Sequence, residues 1–366
     1  MAATITVGPD ETVKRIADAA RLAADGDTVL VMPGEYRGDV AVWPQKSLTI
    51  RGIGERPALI ADGADAEGKG IWVIREGNFL IENIEFRGAR VADGNGAGIR
   101  FERGRLEVRD SAFFDNQNAI LTANFPDAEL IVRNSIFADA PRPNHTRPHL
   151  LYIGKIARFE LTGSHVRNGF EGHLIKSRAR ENEIRYNLIY DGPEGGASYE
   201  LDFPNGGVAR IVGNVIGQSD ATQNPIIVSY GAEGQIWAEN RIQLAHNTLV
   251  SDRLRAARFL HVWDQHFPDG VEVAAYNNLT VGLGAFTLGT SGTFSGNFPL
   301  PPGLFAAENL DFRLGPNSLL RDRVDPLDPQ DPLRPTAEFS LPVGTTPLQP
   351  PSEWVPGAFQ SHDPAR

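Results

Sequence analysis

The chain begins with one stretch of helical spacing. Between Asp10 and Ala24, the residues Val13, Ile16, Ala17, Ala20 and Ala24 fall on one stripe. That predicts an amphipathic helix over about 10–24, with Asp10 as its N-cap. The period then shortens. Thr28–Met32 and Ser47–Gly52 read as short strands, separated by turns at Asp25-Gly26-Asp27 and Pro33-Gly34-Glu35-Tyr36. Further on, short strand runs end at a small polar residue followed by an apolar one. These anchors are Gly52-Ile53, Asn83-Ile84, Ser111-Ala112, Ser135-Ile136, Ser164-His165, Asn187-Leu188, Asn214-Val215, Asn247-Thr248 and Asn277-Asn278. Their spacing varies between 23 and 33 residues. A fixed anchor with variable spacing means a constant strand core and loops of changing length.

A unit of two or three short strands cannot bury its own apolar face. Stacked units can, and the predicted fold is all-β: a single-stranded right-handed parallel β-helix, or solenoid. An inward Asn at each anchor would stack on the Asn of the next rung and satisfy its amide there. A β-sandwich also uses short strands with turn signals. It does not call for a long unit that returns to the same anchor.

The stretch from Ile16 to Ala24, followed by Asp25-Gly26-Asp27-Thr28-Val29-Leu30-Val31-Met32-Pro33-Gly34-Glu35-Tyr36, resembles the pectate-lyase-like superfamily of right-handed parallel β-helix proteins. Leu310-Asp311-Phe312-Arg313-Leu314 and Pro356-Gly357-Ala358-Phe359 are similar to the closing segment of many bacterial members. The resemblance implies an α-helical cap on the N-terminal end of the solenoid. It says little about activity, because this fold carries lyases, hydrolases, epimerases and non-catalytic proteins.

Composition adds limits. Formal net charge is −11, which argues against nucleic-acid binding through a basic field. There is no Cys, so thiol nucleophiles, thiolate metal sites and disulfides are excluded. No long apolar run predicts membrane insertion. The first residues, Met1-Ala2-Ala3-Thr4, carry no signal-peptide pattern. The expected location is the bacterial periplasm or exterior, with the cytoplasm as the alternative. Ten of the 26 prolines lie between Pro326 and Pro364. The division predicted is therefore a β-helix domain over 1–319 and an extended Pro-rich C-terminal tail over 320–366. Leu341, Val343, Leu348, Trp354, Val355 and Phe359 favour a tail packed on the solenoid and covering its C-terminal edge.

In a parallel solenoid, matching residues on successive rungs stack about 4.8 Å apart. The chemistry then lies in the outward column. With Leu151, Ile153, Ile175, Ser177, Leu201, Ser229 and Val262 taken as inward, that column runs Tyr152, Lys176 and Arg178, Glu200 and Asp202, Tyr230, then His261 and Trp263. Lys176, Arg178 and Arg180 form the densest cationic segment, suited to a substrate carboxylate or sulfate. A surface ladder of ion pairs with Glu200 and Asp202 would explain the same residues. Glu200 and Asp202 suit Ca²⁺ or acid/base work. His173 reads as a base or as a packed core histidine. Tyr230 and Tyr152 read as proton donors or as platforms for a sugar. His145 and His149 belong to a long loop expected to wall a groove.

The leading expectation is a monomeric polysaccharide lyase that cleaves a uronic-acid glycan by β-elimination. Lys176, Arg178, His173 and Tyr230 would be catalytic. Tyr152, Arg180, His149, His261 and Trp263 would bind an anionic polysaccharide, and Glu200 and Asp202 would hold Ca²⁺, with no organic cofactor. A glycoside hydrolase using Glu200 and Asp202, a uronate epimerase and a non-catalytic glycan-binding protein are the alternatives.

Overall fold

Each rung turns on the residue before its anchor. Asn83, Asp110, Asn134, Tyr186, His246 and Asn277 all lie in the left-handed region, with φ between 49° and 57°. Gly163, Gly213 and Gly296 do the same where glycine precedes the anchor. This turn aims the anchor side chain inward. It also corrects the first Asn: Asn83 is the turn residue and Ile84 takes the anchor place, its N–H reaching Ser111 Oγ at 3.3 Å.

The structure is a computed structural model and describes residues 2–142, 147–222, 224–302, 305, 309–349, 351 and 353–361. The chain forms two compact units, one of Met1–Phe159 with Gly169–Arg180 and one of Glu160–Asn168 with Glu181–Arg366. Both are built of parallel coils with three sheet faces. In the first unit one face runs from Thr4–Val7 to Glu129–Arg133. The second runs from Ala41–Trp43 through Gly70–Ile74, Ala97–Phe101, Asn118–Thr122 and His149–Ile153 to Ile175–Ser177. The third runs from Glu35–Arg37 to Ile136–Ala138. The second unit repeats the pattern, for example from Leu188–Tyr190 through Val215–Gln218 and Thr248–Ser251 to Leu279–Val281.

The predicted helix is shorter than its apolar stripe, spanning Ile16–Leu22. Asp10 does not cap it. Val13 instead bridges to Val7 in a strand-like pair. The capping carboxylate comes from Asp39, whose oxygens accept the Ile16 N–H at 2.6 Å and the Ala17 N–H at 3.0 Å. These are two of the donors a helix start leaves open.

Two internal stacks hold the rungs. In the first unit Trp43, Trp72, Phe86, Phe113 and Phe137 form a chain of rings with centroids 4.9–5.2 Å apart. In the second unit Asn187, Asn214, Asn247, Asn278 and Asn297 form an amide ladder. Each Nδ2 donates to the next Oδ1 at 2.8–3.0 Å. The backbone N–H of each donates to that same oxygen. Asn247 is fully buried, so its lost bonds could not be replaced by water.

The tail segment packs on the second unit. Leu333, Phe339, Val355 and Ala358 are buried in two clusters with residues such as Leu188, Val212, Val250 and Leu279. Backbone bonds run from Gly344 N–H to Gly163 O at 2.7 Å and from Gly357 N–H to Asn277 O at 2.8 Å. Leu341, counted among the packing residues, is 53% exposed.

Asn247→Ala removes the middle of the ladder and leaves neighbouring amides unsatisfied. We expect a loss of about 3 kcal/mol, read as a lower urea midpoint. An unchanged midpoint would show that the ladder does not hold the rungs.

Candidate functional site

The second sheet face of the first unit holds the expected Tyr152 and Lys176. Its pairing register puts Val42, Val73, Arg100, Leu121, Tyr152 and Lys176 in one column. The alternate residues Ile99 and Phe101, Ile120, Leu151 and Ile153, and Ile175 and Ser177 are buried. The expected facing of Tyr152 and Lys176 therefore agrees with the register.

Over the part of this column from Arg100 to Tyr152 lies a cleft of about 570 Å³, lined by Arg100, Leu121, Tyr152 and Arg178 together with Lys69 and Lys155; Lys176 lies one rung beyond Tyr152 and outside its lining. Glu67 and Asp93 are its acidic residues. Four cations against two acids make it locally positive in an acidic chain. The Arg178 guanidinium sits over the Tyr152 ring, 5.4 Å from its centroid. Lys69 is spoken for, pairing with Glu102 at 2.6 Å and Glu67 at 3.3 Å. Arg100 is different: its Nε is buried and makes no hydrogen bond. Burial pushes the Arg100 guanidinium below its ordinary value, against the pull of Glu102 and Asp93. A partly desolvated cation lining a cleft favours an anion there.

His149 and His173 sit beside Tyr152. The His149 ring meets the Tyr152 ring edge-on at 4.8 Å and lies 4.7 Å from the His173 ring. His149 Nδ1 accepts the His173 backbone N–H at 2.8 Å. Burial, then His149, then Lys176 and Arg178, hold the His173 imidazole well below its usual value, so it is neutral at pH 7. Arg180 is exposed. His145 lies outside the described residues.

The remaining expected residues belong to the second unit, and three need correction. Tyr230 faces inward. It pairs in register with Phe203 and Val262, is fully buried, and donates its hydroxyl to Gly207 O at 2.5 Å. Its ring stacks on Phe267 at 5.4 Å. A hydroxyl so committed cannot serve a substrate as proton donor. The face opposite Tyr230 carries Asp202, Ser229 and His261. His261 meets Trp263 edge-on at 4.0 Å and contacts Arg258 Nη1 at 2.8 Å.

Glu200 and Asp202 are not a surface pair. Glu200 is 0% exposed, and neither carboxylate oxygen has a hydrogen-bond partner. Burial, with Asp191 nearby, raises its carboxyl well above the usual range, against the pull of Arg253. Asp202 accepts from Ser229 Oγ at 2.6 Å. Ca²⁺ needs six to eight oxygens, several of them ionised. Among the described residues no three or more acidic or imidazole groups are placed to hold a metal ion. Asn205, in the turn that follows, donates its Nδ2 to Gly234 O at 3.1 Å and leaves its buried Oδ1 without a partner. The residues at Glu200 and Asp202 do not fit a calcium site.

A second cavity, of about 690 Å³, lies in the second unit and has the opposite sign. Asp191, Glu194, Asp220 and Asp252 line it, with Tyr190, His165 and Arg167. The Tyr190 hydroxyl donates to Asp252 Oδ2. Burial raises the Asp252 carboxyl above its usual range despite that bond.

With these features in place, the fold can be compared with known structures. Pectate lyase Pel9A superposes with a TM-score of 0.65 over 98% of this chain and 96% of its own. This chain has a pectate-lyase-like parallel β-helix fold. The two sequences share 12% identity, so the likeness is one of fold. Pectin methylesterase from Aspergillus niger matches at a TM-score of 0.44, with 13% identity over 81% of this β-helix and 90% of the esterase. The A-module of a mannuronan C-5 epimerase from Azotobacter vinelandii matches at 0.34, with 14% identity over 78% and 93%. No protein-family model and no curated protein matches the sequence of the β-helix. Among the described residues no helix is long and apolar enough to cross a membrane.

Glu200 provides a test that needs no substrate. Its folded value is raised, so its contribution is complete below the unfolded carboxyl value and is lost as pH rises. Glu200→Gln should raise the urea midpoint at pH 8, and the gain should vanish near pH 4. A variant less stable at pH 8 would mean that Glu200 is ionised and paired.

Proposed function

We propose that the protein is a polysaccharide lyase that binds a uronic-acid glycan in the cationic cleft of its first unit and cleaves it by β-elimination. The observation that carries this reading is the cleft itself, where Arg178 lies over Tyr152 and a partly desolvated Arg100 lines the wall. Guanidinium groups match carboxylates, and an aromatic ring suits a sugar face. The fold shared with a pectate lyase is consistent with it.

Elimination needs four things at one sugar. Arg178, its guanidinium over Tyr152, holds the uronate carboxylate and stabilises the charge that spreads onto it as the α proton leaves, while Arg100, two rungs away, anchors another sugar of the same glycan. Lys176, in register with Tyr152, takes that proton. The electron pair forms the new carbon–carbon double bond, and the bond to the glycosidic oxygen breaks. The Tyr152 hydroxyl protonates the leaving oxygen. His173, neutral and held against His149, positions the strand that carries Lys176.

A second reading, glycoside hydrolysis, is favoured by one observation: the raised Asp252 carboxyl, hydrogen-bonded by Tyr190 in the acidic cavity. A neutral glycan would suit that cavity, and a polyanion would not. Glu200 and Asp202 no longer support this reading, because both are buried.

The deciding experiment incubates the protein with anionic and neutral polysaccharides and follows ultraviolet absorbance and product size. Elimination gives an unsaturated uronate end. Hydrolysis shortens the chain without one, epimerisation leaves its length unchanged, and a binding protein makes no new ends. Arg178→Ala and Arg100→Ala should each cost about 100-fold or more in kcat/KM. Full activity in both variants would move the site elsewhere.

A further inference from the structure

Cationic groups in the cleft do not occupy every rung. Arg100 lies on one rung, Leu121 on the next and Tyr152 on the third. Arg178 comes from the strand beyond, but its guanidinium reaches over the Tyr152 ring, so its charge sits at the third rung. Lys155 adds to that rung from the turn after it. The middle rung offers no charge. Leu121 forms a floor that is 6% exposed, and Asn124 is neutral. The Thr122 hydroxyl is committed, donating to Ala123 O at 3.1 Å and accepting the Gly154 N–H at 2.7 Å.

The cleft's lining is drawn from successive rungs, so its long axis follows the column. Rungs are about 4.8 Å apart, and an extended 1,4-linked pyranose chain advances by roughly one rung per sugar. A glycan lying along the column therefore presents one sugar to Arg100, the next to Leu121 and the third to Arg178 and Lys155. A carboxylate on the middle sugar would lose water over Leu121 and find, among the described lining residues, only the neutral amide of Asn124 in place of a cation. A neutral sugar would cover Leu121 with its apolar face at no such cost.

We propose that the cleft is built for a glycan in which uronic acids alternate with neutral sugars, and that Leu121 is the residue that rejects a uniform polyuronate. This rests on the reading of the cleft as an anionic-glycan site.

The test is a titration of the full chain, at fixed ionic strength, with two length-matched oligosaccharides: a homo-uronate and one alternating uronate with neutral sugar. The alternating oligosaccharide should bind at least about tenfold more tightly, although it carries fewer charges. Leu121→Lys gives the middle rung a cation and should reverse the preference. Asn124→Lys, at an exposed position of the same rung, should shift it the same way if the first variant fails to fold. Equal binding, or a wild-type preference for the homo-uronate, overturns the alternation while leaving the anionic-glycan reading intact. Binding of neither oligosaccharide overturns both.

Discussion

The register of the stacked rungs is the constraint on which everything else depends. Side chains alternate faces along a strand, so a slip of one residue would send the whole cationic column into the core. The molecule fixes the register from inside. A left-handed turn precedes each anchor, and the anchor then bonds to its counterpart on the next rung. In the first unit, where serine takes the anchor place, a run of stacked rings supplies the order. Hydrophobic burial favours stacking in general. The amides and rings select one stacking among several of similar buried area.

From that register follows a surface whose sign differs from that of the chain. A net charge of −11 would repel a polyanion at long range. The first-unit cleft reverses the sign locally, and Arg100 does so where water is scarce and charge counts for more. The acidic cavity of the second unit keeps the chain's own sign. Two cavities of comparable size are thus told apart by electrostatics, and a polyanionic ligand has a reason to choose the first.

Much of this was legible in the residues, and the failures have physical causes. The repeat, the fold and the amide ladder could be read because the anchors recur. Tyr152, Lys176 and Arg178 could be placed because apolar and polar residues alternate around them. Tyr230 could not: Ile226–Tyr230 is buried on both faces, so its pattern has no alternation to set the phase. Glu200 and Asp202 look like a surface pair by spacing, and only burial shows that they are not. Arg100, a lone charge within Ala97–Phe101, stands in no cluster along the sequence, and only the register aligns it with Leu121 and Tyr152. The shortened helix reflects Asp39, a cap that arrives from more than twenty residues away.

The central claim is that the cationic column of the first unit is where a uronate glycan binds. A crystal structure with a saturated uronate oligosaccharide tests it most directly. The account predicts sugar density along Arg100, Leu121 and Tyr152, with a carboxylate in contact with the Arg100 or Arg178 guanidinium. Density in the acidic cavity beside Tyr190 and Asp252, with the cationic cleft holding only water, would contradict it.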